Sequence, residues 1–422
     1  MERTERNVSE KEIYLWNMIG SVLNVVASVF FLLAVTRLTG SRHSDAFNLG
    51  WSVAYLMMTI GAFAVRIFQA TDVTEQYRFR QYVIFRFLTI LAMTAASVLY
   101  VLQKGYTGVT AGATLLLCAY KATEALSDVF QGRFHQKERL DLAGKAMSAR
   151  IVACVVGFAA ALLVSHNVIH ACITINVIAF VSIFLFDLRY LHRARLTDPE
   201  KSESGLRWIP RLMMQCLPLF LNSFLIQVIF NEPKAAIESA ISNGSLADGA
   251  QTVYSVLFMP SLALNLLILV LYPTITKMAI LWSSGDSKGY LNLLAKIVGV
   301  LTGLSVVILG AAYLIGIPAL ALVFGIDLDG TKTVFMLLLA GGCSNALMNV
   351  FANAVTVIRK HYALLPAYLI TAAAVLLLTQ RTVRADGLLG AGKVFLLSQV
   401  ALLVMIALVF WLLRPRENNT LR

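Results

Sequence analysis

The sequence predicts an all-α polytopic membrane protein of about twelve transmembrane helices in two six-helix lobes. Three observations carry that expectation. The 422 residues are 58% hydrophobic and 14% charged, and their mean hydropathy is +0.75. The apolar residues fall in runs of about 20, the length that crosses a hydrocarbon core of roughly 30 Å. A polar stretch near the middle, RYLHRARLTDPEKSESGLRW at 189–208, separates six runs from six.

Taken in order, the runs lie at about 14–38, 46–69, 83–102, 108–132, 146–165 and 168–188 before that stretch. After it they lie at about 209–232, 250–276, 290–315, 332–357, 362–380 and 388–413. The domains expected are an N-terminal six-helix lobe over 1–188, a cytoplasmic linker over 189–208 and a C-terminal six-helix lobe over 209–422. The first run is read as a retained helix rather than a cleaved signal. It is longer than an h-region, and Glu2, Glu5, Glu10 and Glu12 precede it.

With both termini placed in the cytoplasm, 22 of the 35 lysines and arginines fall in inner segments and 7 in outer ones. That asymmetry is the positive-inside rule, so the formal charge of +12 is read as topology. The cations are scattered over many loops rather than gathered on one element, which argues against nucleic acid as a partner. The expectation is a multi-pass plasma-membrane protein, monomeric, with membrane lipids as its surroundings. Cys118, Cys154, Cys172, Cys216 and Cys343 lie within or at the edges of runs without a C-x-x-C pairing. They read as small packing residues, and no metal site is expected. The outer loops are short, and no P-loop, HExxH or G-x-S-x-G pattern occurs. An enzyme is therefore not expected.

The two sets of six runs carry a faint repeat. Ala125, Leu126, Asp128, Val129 and Phe130 in the fourth run match Ala346, Leu347, Asn349, Val350 and Phe351 in the tenth, at an offset of 221. Asp45, Ser52 and Val53 match Asp248, Ser255 and Val256 at an offset of 203. Each pairs a run with the one six later, as a duplicated six-helix unit requires, which predicts parallel halves with a site between them.

The fourth run is the least uniform. Within AYKATEALSDVFQGRF at 119–134, steps of three and four put Lys121, Glu124, Asp128, Gln131 and His135 on one helix face. A charge at mid-bilayer costs at least ~2.5 to 3.5 kcal/mol, so this face should meet protein or water rather than lipid. The tenth run repeats the stripe without charge through Asn345, Asn349 and Asn353. Asn17, Ser21, Asn24 and Ser28 form a similar face in the first run. In the second, Asn48, Ser52, Tyr55 and Thr59 lead toward Arg66, and the seventh adds Gln215 and Asn222. A central hydrated cavity between the halves accommodates all of these. Bland readings stand beside that one. The three charges of the fourth run also suit a structural ion-pair network. Arg66 and Lys296 suit snorkelling as well as cavity lining, and Arg150 is expected to snorkel. The Asn and Ser stripes suit plain helix-to-helix bonding.

Residues 231–238 read NEPKAAIE, where Pro233 is expected to bend or interrupt the seventh helix near its outer end. The pattern Asn231, Pro233, Lys234, Ile237, followed by Phe258, Met259 and Pro260, resembles the polysaccharide flippases of Gram-positive bacteria. Those belong to the multidrug/oligosaccharidyl-lipid/polysaccharide (MOP) exporter superfamily. YLWNMIGSVLNVVASVFFLLAVTRLTG and ATDVTEQYRFRQYVIFR resemble the same family's first helix and second-to-third loop, so the likeness covers roughly residues 12 to 300. The chain departs from the family at Glu232 and Ala235.

The resemblance implies two lobes in a V that move a lipid-linked, anionic oligosaccharide or teichoic-acid precursor from the inner to the outer leaflet by alternating access. The physics suits that cargo, because its charged head cannot cross hydrocarbon unaided while its tail can stay in lipid. Arg66, Lys121, Lys234 and Lys296 are the candidates for phosphate contacts, and Asn24, Asn345 and Asn349 suit sugar hydroxyls. Glu124, Asp128 and Glu232 are placed to hold those cations or to bind a coupling H+ or Na+; no other cofactor is expected. Lys121→Ala and Asp128→Ala are expected to abolish transport with protein levels near normal. The rival readings are a multidrug or cation exporter of the same superfamily and a membrane glycan polymerase or glycosyltransferase. The first run holds no acid for a cationic drug, and the short outer loops hold only isolated residues such as Asp327 and Asp329.

Overall fold

The computed structural model of the chain describes residues 10–72, 75–194, 196, 207–264, 277–278, 280–282, 284–358 and 360–414. These residues form helices and their connections, with no strand among them. The packing divides into two compact units, Met1–Ser223 and Phe224–Arg422.

The first unit opens with α1 (Glu10–Leu38) and α2 (Ser41–Ala62). Helix α2 stops because Phe63 and Ala64 both take left-handed backbone, with φ of 44° and 53°. Two consecutive non-glycine residues in that region cost about 1–2 kcal/mol each. The chain then resumes as α3 (Val65–Thr71), so the single span expected over about 46–69 is a broken one. The break leaves the Gly61 carbonyl without a helical partner, and it accepts instead from Arg86 Nη1 at 2.5 Å and Thr89 Oγ1 at 2.7 Å. Phe63 stacks on Phe220 with ring centres 4.3 Å apart.

Helices α4 (Phe79–Lys104), α5 (Gly108–Gln136) and α6 (Leu140–Ser165) follow. The seventh, α7, runs Val168–Arg193 and contains a wide π-type turn at Ile183–Leu188. Such turns admit one extra residue and re-aim the side chains around it; here the buried residues of the turn are Ile183 and Asp187. Helix α5 packs against α2, α4, α6 and α7 and so lies inside the unit. That placement is what lets it carry charges. Eight of the described helices are long and apolar enough to cross a membrane by length and composition, and α5 is not one of them.

Helix α8 (Trp208–Ser242) begins in the first unit, where Leu212 and Cys216 join the core around Val65, Tyr82 and Phe134. The expected linker lies mainly outside the described residues, which resume at 207. Pro233 does not interrupt α8. Proline removes only one ladder bond, and Ala235, Ala236 and Ile237 just beyond it are buried and anchored. NEPKAAIE is therefore helical throughout, and Lys234 sits within the helix rather than in an outer segment.

The second unit continues with α9 (Ala250–Ala263), α10 (Ser287–Phe324) and α11 (Lys332–Val357). The expected eighth span runs on over 265–276, which lie outside the described residues. The last element, α12 (Leu365–Leu413), is turned at Gly387, whose φ of 58° and ψ of −133° favour glycine. The turn separates the two spans expected over 362–380 and 388–413. All five cysteines are buried and unbridged, as expected of packing residues.

The connection from α3 to α4 is built on Asp72. Its carboxylate accepts from the Gln76 and Tyr77 amides and the Tyr82 hydroxyl, at 2.8, 3.1 and 2.8 Å. Glu75 pairs with Lys137 and with Arg133 at 3.1 Å, while Arg133 Nε donates to the Leu196 carbonyl at 2.9 Å. The hydrogen bond from Lys137 holds the Glu75 carboxyl below the usual carboxylate range, against the opposing effect of burial, and Arg133 adds to it. A depressed folded-state value makes this contribution present above the ordinary pKa of about 4.3 and lost as pH falls through the depressed one. Amide exchange over 75–78 is therefore expected to be slower than in Glu75→Gln at pH 7. The two proteins should converge only as pH falls through that depressed value; equal exchange at pH 7 refutes the pairing.

Candidate functional site

Helix α5 carries its polar side chains on one face, and the neighbouring helices complete them in two groups. Nearer the start is Lys121, 1% exposed. Its Nζ lies 2.5 Å from Glu124 Oε2 and over the rings of Tyr55, Trp51 and Tyr120, at 4.1, 4.6 and 5.4 Å from their centres. Each desolvated cation–π contact is worth about 0.5–2 kcal/mol, which offsets part of the cost of burying the ammonium. Tyr55 in turn meets Ser28 of α1 at 3.4 Å, and Ser28 bonds back to the Asn24 carbonyl.

One to two turns further along α5 is Asp128, held between two arginines. Arg86 Nη2 donates to Oδ2 at 3.0 Å and Arg66 Nη1 to Oδ1 at 3.2 Å; Arg66 Nη1 also donates to Gln131 at 2.9 Å. The arginines differ in surroundings. The Arg86 side chain is fully enclosed, whereas that of Arg66 is 35% exposed. Between the two groups, Ser127 Oγ donates to Asp187 Oδ2 at 2.9 Å, and Arg150 lies 3.7 Å from the same oxygen while also facing Glu124 electrostatically. Glu124, Asp128 and Asp187 thus each have a cation beside them: Lys121, Arg66 with Arg86, and Arg150. Charges 4 Å apart at an effective dielectric of about 20 attract by ~4 kcal/mol, enough to make the spine self-consistent inside apolar packing.

The structure therefore joins Lys121, Glu124, Asp128, Gln131 and Arg66, but as two local clusters rather than one open stripe. Arg150, expected to snorkel, is instead buried against Asp187. The π-type turn of α7 brings an acid to it, and a paired interior position replaces an excursion to the interface. Sequence reasoning missed Arg86, Asp187, Trp51 and Tyr120. Arg86 sits only a few residues into its span, and Asp187 at the edge of a polar stretch, where charges are ordinary. Nothing local marks either as interior.

In the second unit Glu232 is buried, and Lys234 lies over the Phe258 ring at 5.3 Å. Lys296 is exposed on α10. Asn349 Nδ2 bonds back to the Asn345 carbonyl within α11 at 2.9 Å, so that stripe is partly satisfied by its own helix. Among the described residues no group of His, Cys, Asp and Glu is arranged to hold a metal ion.

No protein-family model matches the sequence, and no curated protein matches it. Solved structures do resemble the fold. An inward-facing multidrug resistance MATE family transporter of the MOP superfamily aligns over 93% of this chain and 93% of its own, with a TM-score of 0.67 and 13% identity. A MATE transporter of Vibrio cholerae covers 95% of this chain and 96% of its own, with a TM-score of 0.64 and 14% identity. A MOP superfamily transporter from Pyrococcus furiosus is reported with the statement that reverse polarity of its binding pocket suggests a different function. It covers 95% of this chain and 93% of its own, with a TM-score of 0.62 and 14% identity. Likeness over nearly the whole length of each chain shows that this protein has the all-α, polytopic fold of the MATE transporters.

Proposed function

We propose that the protein is a membrane transporter whose cargo has an anionic headgroup, a lipid-linked oligosaccharide or teichoic-acid precursor moved to the outer leaflet by alternating access. One observation carries the sign of the cargo. Every carboxylate of the α5 spine already has a cation beside it, and Arg66 is the group that keeps a third of its side chain exposed. A site of this kind offers a guanidinium fork to phosphate oxygens and no spare acid to a cationic drug. Lys234 and Lys296 are further proposed phosphate contacts, and Asn24, Asn345 and Asn349 proposed partners for sugar hydroxyls. Glu124 and Asp128 are proposed to fix the cations, and Glu232 to do the same or to take a coupling H+ or Na+.

A second reading has its own support. The similar solved structures include proteins described as multidrug resistance transporters, which favours a multidrug exporter. Deleting the gene separates the two. Lipid-linked oligosaccharide accumulating on the cytoplasmic leaflet supports the flippase; drug hypersensitivity without accumulation supports the exporter. Within the flippase reading, Arg66→Ala is expected to lower the transport rate by about ten- to a hundredfold, the value of one charge-assisted hydrogen bond of ~1.5–3 kcal/mol. Thermal stability should be kept, because Asp128 retains Arg86. Unchanged transport in a reconstituted flipping assay refutes the role.

A further inference from the structure

Lys121 occupies a position that resembles a ligand's more than a side chain's. Three aromatic rings and one carboxylate surround its ammonium, the chemistry by which proteins recognise organic ammonium ions. The walls come from two helices, Trp51 and Tyr55 from α2, Tyr120 and Glu124 from α5. The rings are braced: Trp51 stacks on Tyr120 and on Phe47, with centres 6.1 and 5.6 Å apart, and meets Phe31 edge-on at 5.5 Å. The Lys121 side chain as a whole is 2% exposed. The guanidinium groups of the spine are held differently, against carboxylate, amide and carbonyl oxygens.

We propose that Trp51, Tyr55, Tyr120 and Glu124 form a binding site for a small organic monocation, with Lys121 as its built-in occupant. Held in place within the same chain, the ammonium competes as an intramolecular group of very high effective molarity, so the native chain excludes dissolved amines from this site. The inference rests on the enclosure itself and does not require the transport reading; a wild-type protein that flips no glycan leaves it standing.

The substitution Lys121→Ala removes the side chain beyond Cβ, a fragment with the size and charge of n-propylammonium. The test uses the full-length protein in lipid nanodiscs, with n-propylammonium as probe and n-propanol as its neutral counterpart. Binding is read by saturation-transfer NMR on the probe and by the thermal midpoint. Lys121→Ala is expected to bind n-propylammonium at least about tenfold more tightly than wild type, with a saturable rise in midpoint. n-Propanol should give neither effect, and adding Glu124→Gln should remove the response. A folded Lys121→Ala that treats the two probes alike, or binds the amine no better than wild type does, overturns the proposal. If the variant is recovered only as aggregate, n-propylammonium present from solubilisation onward is expected to restore monodisperse protein. Failure of the amine to do so overturns the proposal as well.

Discussion

Asp128→Ala is expected to abolish the folded protein, not merely its activity. The substitution leaves Arg86, with 0% of its side chain exposed, without the carboxylate that neutralises it. Its other guanidinium bond, to the Gly61 carbonyl, supplies no charge. Removing one partner of a buried ion pair typically costs about 3–5 kcal/mol, because the remaining charge can be neither hydrated nor moved to water. Set against ordinary stabilities of ~5–15 kcal/mol, that is enough to deplete the native state. The sequence alone suggested that Asp128→Ala would spare protein levels; Arg86, which it did not place beside Asp128, reverses that expectation. The measurement is the monodisperse fraction and thermal midpoint of detergent-extracted protein. The double variant Asp128→Ala with Arg86→Met should recover much of the loss, since an apolar pair of similar volume is often neutral. A single variant with wild-type thermal behaviour contradicts the buried pairing.

Gly144→Val should be similarly damaging for a reason unrelated to charge. A Cβ at residue 144 would stand 2.2 Å from the Trp16 carbonyl oxygen, 2.4 Å from its carbon and 2.8 Å from the Asn17 nitrogen. These are backbone atoms of α1, which cannot rotate aside as a side chain can. The whole of α1 would have to withdraw from α6, and close approach through small residues is what holds membrane helices together when lipid competes equally for apolar surface. Overpacking ordinarily costs about 1–3 kcal/mol, and a rigid obstacle puts this case at the upper end or beyond. Gly299→Val, where a Cβ meets nothing within 4 Å, is the matched control. Equal yields of the two variants would show that α1 is free to shift.

These contrasts mark what a sequence discloses. Hydropathy placed most of the helices because the bilayer sets a minimum apolar length for a span, and the charged face of α5 was visible in the spacing of Lys121, Glu124 and Asp128. Partners were not visible. Arg86 and Asp128 are 42 residues apart, and Arg66 and Asp128 are 62 apart; nothing in local periodicity links them. The interruption expected at Pro233 does not occur, because a proline removes only one ladder bond and the residues beyond it are buried. Arg150 was misplaced because snorkelling and burial differ only by the presence of an acid on another helix. The aromatic enclosure of Lys121 was hidden because Tyr55 showed only as part of a polar face, and Trp51 and Tyr120 were indistinguishable from packing residues until α2 was laid against α5.

The Phe63–Ala64 break gives the Asp128 cluster an unequal pair of arms. Arg86 is anchored on α4, but Arg66 is the second residue past two left-handed peptides that hold conformational energy in reserve. If that joint relaxes toward ordinary helix, Arg66 is carried off while Arg86 still neutralises the carboxylate. Arg66 would then move without stranding Asp128, a division of labour between a fixed counterweight and a swinging one.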